Sequence, residues 1–78
     1  MRATSAAEIF RHNVRMLMDD RGLTQAEVAE AIGTSAPNIS RVLAGKEGIT
    51  FERAERIANY FGYPLSALIA DKFVKQTA

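Results

Sequence analysis

The 78-residue sequence has no cysteine, no tryptophan, one histidine and two prolines. Without cysteine there is no disulfide framework and no thiolate metal site, and a reducing, cytoplasmic setting is the natural expectation. With His12 as the lone imidazole, a metal site would have to be assembled almost wholly from carboxylates, and none of these cluster along the chain. Neither a metal nor a cofactor is expected. Apolar runs last only a few residues, far short of the ~20 that cross a bilayer, and no apolar segment follows Arg2 as a signal peptide would need. No membrane partner is expected. Charge of one sign is also scarce: 10 Lys and Arg against 9 Asp and Glu leave a net charge of +1. The strongly basic balance typical of nucleic-acid-binding domains is therefore missing. No glycine-rich phosphate loop follows a strand, and the parts for most catalytic constellations are lacking. These gaps argue against an enzyme and against a small-molecule substrate.

What the sequence does have is helical order. Hydrophobic residues make up 47%, enough for a core in a single domain over 1–78, at a size where packing quality or oligomerisation matters. Apolar residues recur with a 3.6-residue period almost throughout, without convincing strand alternation. Ser5-Ala6-Ala7-Glu8 reads as a capping box that opens a first helix with Phe10, Val14 and Leu17 on its buried stripe, closed at Arg21-Gly22. Thr24-Gln25-Ala26-Glu27 is a second capping box; it starts a short helix with Val28, Ala29 and Ile32 inward and Gly33 at its end. Ser35 is the best N-cap for a third helix, with Pro37 in the first turn, Ile39, Val42 and Leu43 on the apolar side and Gly45 as its stop. Thr50 caps a fourth helix, expected to bury Phe51, Ala54, Ile57, Ala58 and Phe61 before Gly62. Leu65, Leu68 and Ile69 suggest a short fifth helix after the Tyr63-Pro64 turn. The tail 71–78 lacks a clear cap but contains apolar Phe73 and Val74.

The most specific feature is the pair of short helices across 25–44, joined by Gly33-Thr34-Ser35. In a helix-turn-helix the two helices cross steeply and touch closely, which imposes size rules at fixed spacing. Ala29 is small where the second element presses on the first, and Gly33, four residues on, supplies the permissive backbone of the turn.

Leu23-Thr24-Gln25-Ala26-Glu27-Val28-Ala29, then Gly33, Ile39-Ser40-Arg41, Gly45-Lys46, Ile57-Ala58, Gly62 and Leu65 to Leu68 closely resemble the Cro/C1-type (XRE) helix-turn-helix family of phage repressors and bacterial transcriptional regulators. The likeness covers roughly Val14 to Leu68. It implies an all-α fold: a compact five-helix bundle of the lambda-repressor-like DNA-binding type. It also implies a homodimer on a palindromic operator in double-stranded DNA, with recognition helices about 34 Å apart and the segment 36–44 in the major groove. Carried over residue by residue, Ala36, Pro37, Ser40 and Arg41 become base contacts. Arg41 is the strong reader, because its fork matches guanine O6 and N7 together. Gln25, Thr34, Ser35, Asn38 and Lys46 become contacts to the DNA backbone. Tyr63, Leu65, Phe73 and Val74 become candidates for a dimer interface near the fifth helix. Localisation would be cytoplasmic, nucleoid-associated through DNA.

The departures from the family pattern are specific. Polar readers are common where this chain has Ala36 and Pro37, so DNA shape would carry more of the specificity. Ala44 stands where an asparagine often precedes the loop glycine. Met18 and Leu43 replace an arginine–glutamate pair, which implies apolar contact in place of a buried ion pair. Arg11, Arg15, Arg53 and Arg56 read as exposed helix-face charges, the first three also as phosphate neighbours. The alternative function is a helix-turn-helix interaction module, such as an antitoxin or co-activator, whose main partner is another protein.

Overall fold

A computed structural model describes residues 5–70. Each helix begins where a side chain captures its orphan amides. Ser5 and Thr24 form full capping boxes with Glu8 and Glu27, and these open α1 (Ala6–Arg21) and α2 (Gln25–Ile32). Ser35 accepts from the Asn38 amide at the start of α3 (Ala36–Leu43), and Thr50 from the Arg53 amide at the start of α4 (Phe51–Phe61). Each such cap contributes about 1 kcal/mol. The short α5 (Leu65–Leu68) follows Pro64 and has no side-chain cap.

The ends of α1 to α4 share one device. Gly22, Gly33, Gly45 and Gly62 each take a positive φ. The amide that follows each reaches back to a carbonyl five residues earlier: Leu23 to Met18, Thr34 to Ala29, Lys46 to Arg41 and Tyr63 to Ala58. These bonds satisfy carbonyls that the helix leaves open and turn the chain sharply. Helices are thereby kept short and reversals tight.

The expectation of an all-α, five-helix bundle holds: among the described residues there are five helices and no strand. α2 packs most extensively on α3; α1 packs on α3 and α5, and α4 on α2 and α5. The core is the meeting of the predicted stripes. Phe10, Val14 and Leu17 from α1 join Val28 and Ala29 from α2, Ile39 and Leu43 from α3, Ile57 and Phe61 from α4, and Leu68 from α5. Ala29 is buried and Gly33 follows it with a left-handed backbone, as the helix-pair spacing requires. No described helix is long and apolar enough to cross a membrane.

Two residues depart from the sequence expectation. Phe51, expected in the core, is 72% exposed. It precedes Ala54 by three and Ala58 by seven, so it shares their side of α4, but as the first residue of the helix it lies at the end of the stripe, lining the open groove with Ala54. Ile69 falls just past the end of α5 and is 38% exposed.

Candidate nucleic-acid interface

α3 has two sides. Ile39, Val42 and Leu43 are buried, fixing the helix against the rest of the domain. Pro37, Ser40 and Arg41 are exposed and Ala36 is half-buried. Spaced at 36/40 and 37/41, these four lie on neighbouring rows of one helix face. The face is small and apolar at its N-terminal end and carries a guanidinium one turn further on. Pro37 needs no amide partner in the first turn, where Ser35 Oγ already accepts from the Asn38 amide at 3.3 Å.

The candidate backbone contacts lie at the start of α2, at the start of α3 and just past its end. Gln25 is exposed as the first residue of α2, Ser35 is exposed at the N-cap of α3, and Lys46 is exposed just beyond α3. Thr34 and Asn38 are half-buried and bonded to one another, Asn38 Nδ2 donating to Thr34 Oγ1 at 2.7 Å. Asn38 Oδ1 accepts from Arg41 Nη2 at 3.0 Å, and Arg41 Nε donates to Glu47 Oε1 at 3.0 Å. Thr34, Asn38, Arg41 and Glu47 thus form one line of polar contacts along α3. In the sequence Glu47 is only a loop residue. It lies six positions from Arg41, outside the helix, and is brought alongside only by the reversal at Gly45.

Two arginines expected as exposed helix-face charges also serve α3: Arg15 stays exposed and Arg11 is half-buried. Arg15 Nη2 donates to the Leu43 carbonyl oxygen, and the Arg11 guanidinium packs beside Gly45. Being four apart on α1, they bring two cations to the C-terminal end of α3, where the helix dipole favours positive charge. Arg56 keeps to the solvated reading, 3.6 Å from Glu52 in an i,i+4 pair. Met18 and Leu43 are both buried and flank one shallow depression with Leu23 and Gln25, so apolar side chains do occupy the positions singled out for a missing ion pair.

A second surface lies away from α3. Ala6, Ala7 and Phe10 of α1, Ile49 and the start of α4, and Leu65 and Ile69 line an apolar groove of about 250 Å³. Exposed Phe51 stands at its edge. Of the candidate dimer residues, Leu65 lines this groove and Tyr63 packs partly buried against the core. Phe73 and Val74 lie outside the described residues.

A short helix pair joined by a glycine turn, with the later helix buried along one edge and open along the other, defines a helix-turn-helix protein. The family model described as Helix-turn-helix matches residues 14–68, and the chain belongs to that family, in its Cro/C1 (XRE) type. Over 49 residues, 63% of this chain, it is 45% identical to the antitoxin HigA of Escherichia coli K12. Over 63 residues, 81% of this chain, it is 30% identical to the cryptic phage CTXphi transcriptional repressor RstR of Vibrio cholerae. The matched segments are 34% of the antitoxin and 57% of the repressor, so the chain spans a third to somewhat over half of these relatives.

Proposed function

We propose that the chain is a sequence-specific DNA-binding transcriptional regulator, a repressor or Cro-like protein, that binds a palindromic operator as a homodimer with α3 in the major groove. The observation that carries this reading is the outward face of α3: Pro37, Ser40 and Arg41 are exposed and Ala36 is half-buried, on a helix whose Ile39, Val42 and Leu43 are sealed into the core. A major groove admits one α-helix, and an arginine there selects guanine by about 1–3 kcal/mol. Thr34, Ser35, Gln25 and Lys46 would offer hydroxyl, amide and ammonium donors suited to phosphate oxygens. The likeness to a phage transcriptional repressor supports the same reading. Nothing in it calls for an enzymatic activity.

The dimer would form through the apolar groove at Leu65, Phe51 and Ile69, which keeps the two α3 faces open. An exposed aromatic at the rim of an apolar groove suits a self-complementary contact between two copies. Sedimentation should show concentration-dependent dimers. Phe51→Ser should weaken them about tenfold or more, as loss of a buried aromatic anchor does. Monomers at every concentration would remove the dimer from the proposal.

The identity to an antitoxin favours a second reading, a module whose main partner is another protein. Selection from random duplexes followed by a salt series separates the two. For a DNA-binding regulator, log affinity falls linearly with log salt as phosphate contacts release counterions. Undetectable binding to every duplex would favour the protein partner.

A further inference from the structure

The line of polar contacts on α3 ends on a carboxylate, an unusual group to place where a duplex is to be gripped. Glu47 Oε1 accepts from Arg41 Nε at 3.0 Å while Asn38 Oδ1 accepts from Arg41 Nη2 at 3.0 Å. Asn38 is itself held by Thr34 in the turn that precedes α3, at 2.7 Å. The Arg41 and Glu47 side chains keep 52% and 41% of their exposure. An ion pair this open contributes little to stability, so stability gives no reason for its geometry. Recognition does. A free arginine loses much rotamer freedom when a ligand fixes it, whereas one already held in place has less to lose. Of the five guanidinium N–H donors, the two bonds use one on Nε and one on Nη2. Nη1 keeps both of its donors, enough with the remaining Nη2 hydrogen for the paired acceptors of guanine.

Resting on the DNA-binding reading, we infer that Glu47 is a positioning residue for Arg41: with Asn38 it holds the guanidinium in place and leaves Nη1 for the base, so specificity depends on a carboxylate that contacts no nucleotide. Its charge acts in a second way. Beside phosphates it lowers affinity for every sequence, and while paired it keeps Arg41 from serving as a general phosphate contact. The uniform loss leaves discrimination unchanged; keeping Arg41 off the phosphates raises it.

The test uses the whole chain and three duplexes: one selected for tight binding, the same duplex altered at the base pair most sensitive to Arg41→Ala, and an unrelated one. Glu47→Gln should reduce discrimination between the first two by about two- to tenfold, the range expected when one rotamer-rich side chain is no longer pre-positioned. Affinity for the unrelated duplex should stay level or rise. In an Arg41→Ala background, Glu47→Gln should leave discrimination unchanged. Full discrimination by Glu47→Gln overturns the inference. So does a loss that persists without Arg41, which would make Glu47 a direct base contact, or an equal loss on all three duplexes. Wild-type chain that binds no duplex would instead sink the DNA reading, and this inference with it.

Discussion

Asn13 in α1 donates from Nδ2 to the main-chain carbonyl oxygen of Leu68 at 2.8 Å, joining positions 55 apart in sequence. Asn13 is 4% exposed and is the buried polar side chain among the described residues. Because α5 is four residues long and has no side-chain cap, this bond joins the buried Leu68 side chain in anchoring its end to α1. Asn13→Ala would strand a buried carbonyl, and the expected loss is about 1–3 kcal/mol. Urea denaturation measures it. An unchanged midpoint would mean the carbonyl finds another donor.

Gly33 sits in the turn between α2 and α3 with φ +80, and an added Cβ there would meet no atom within 4 Å. The cost of a side chain is therefore backbone strain alone. Gly33→Ala should destabilise by about 1–2 kcal/mol, the left-handed penalty for an L-residue, and Gly33→Asn by less, because asparagine tolerates that region better. Equal losses for the two variants would point to steric crowding instead.

Leu43 and Met18 supply the third prediction. Both are buried where many relatives of this family are expected to hold an ion pair. Leu43→Glu puts a carboxylate at a buried position where Arg15 is already engaged with the Leu43 carbonyl, and the expected loss is about 3 kcal/mol, with partial relief if the group protonates at low pH. Adding Met18→Arg should restore much of that loss by supplying a counter-charge. Thermal melts of the two single variants and the double variant give the coupling directly; additive losses would show that the side chains do not meet.

The fold was legible because the signals were local. Ser5 with Glu8 and Thr24 with Glu27 announce helix starts within four residues, and glycines mark the ends. Tertiary polar contacts were not. Asn13 looks like any helical asparagine until α5 arrives over it, and Arg15 looks solvated until the Leu43 carbonyl is placed beside it. Arg21 belongs with them: in the sequence it marks only the end of α1, yet its Nη2 donates to the Phe61 carbonyl at 2.8 Å and its guanidinium covers that residue's ring. Phe51 failed for a related reason. An apolar residue at a helix start can share the angle of the stripe and still lie past the end of what covers it. On the candidate interface, the face of α3 followed from its buried stripe, whereas the Arg41–Glu47 pair depends on a loop reversal that no helical spacing encodes.

Lys46 and Arg41 should differ in how their loss is felt on DNA. Lys46 is exposed just past α3, bonded to the helix through its amide only, and its ammonium suits a phosphate. Lys46→Ala should weaken binding on all sequences alike and lower the salt slope by about one unit. Arg41→Ala should relax preference at one base pair per half-site, at a cost of about 1–3 kcal/mol there. It also leaves Glu47 without its cation, so some loss on every sequence will accompany the specific one. The part that belongs to base reading is the difference between matched and altered duplexes. Were that difference zero at every position, Ala36, Pro37 and the shape of the duplex would have to carry the specificity without an arginine reader.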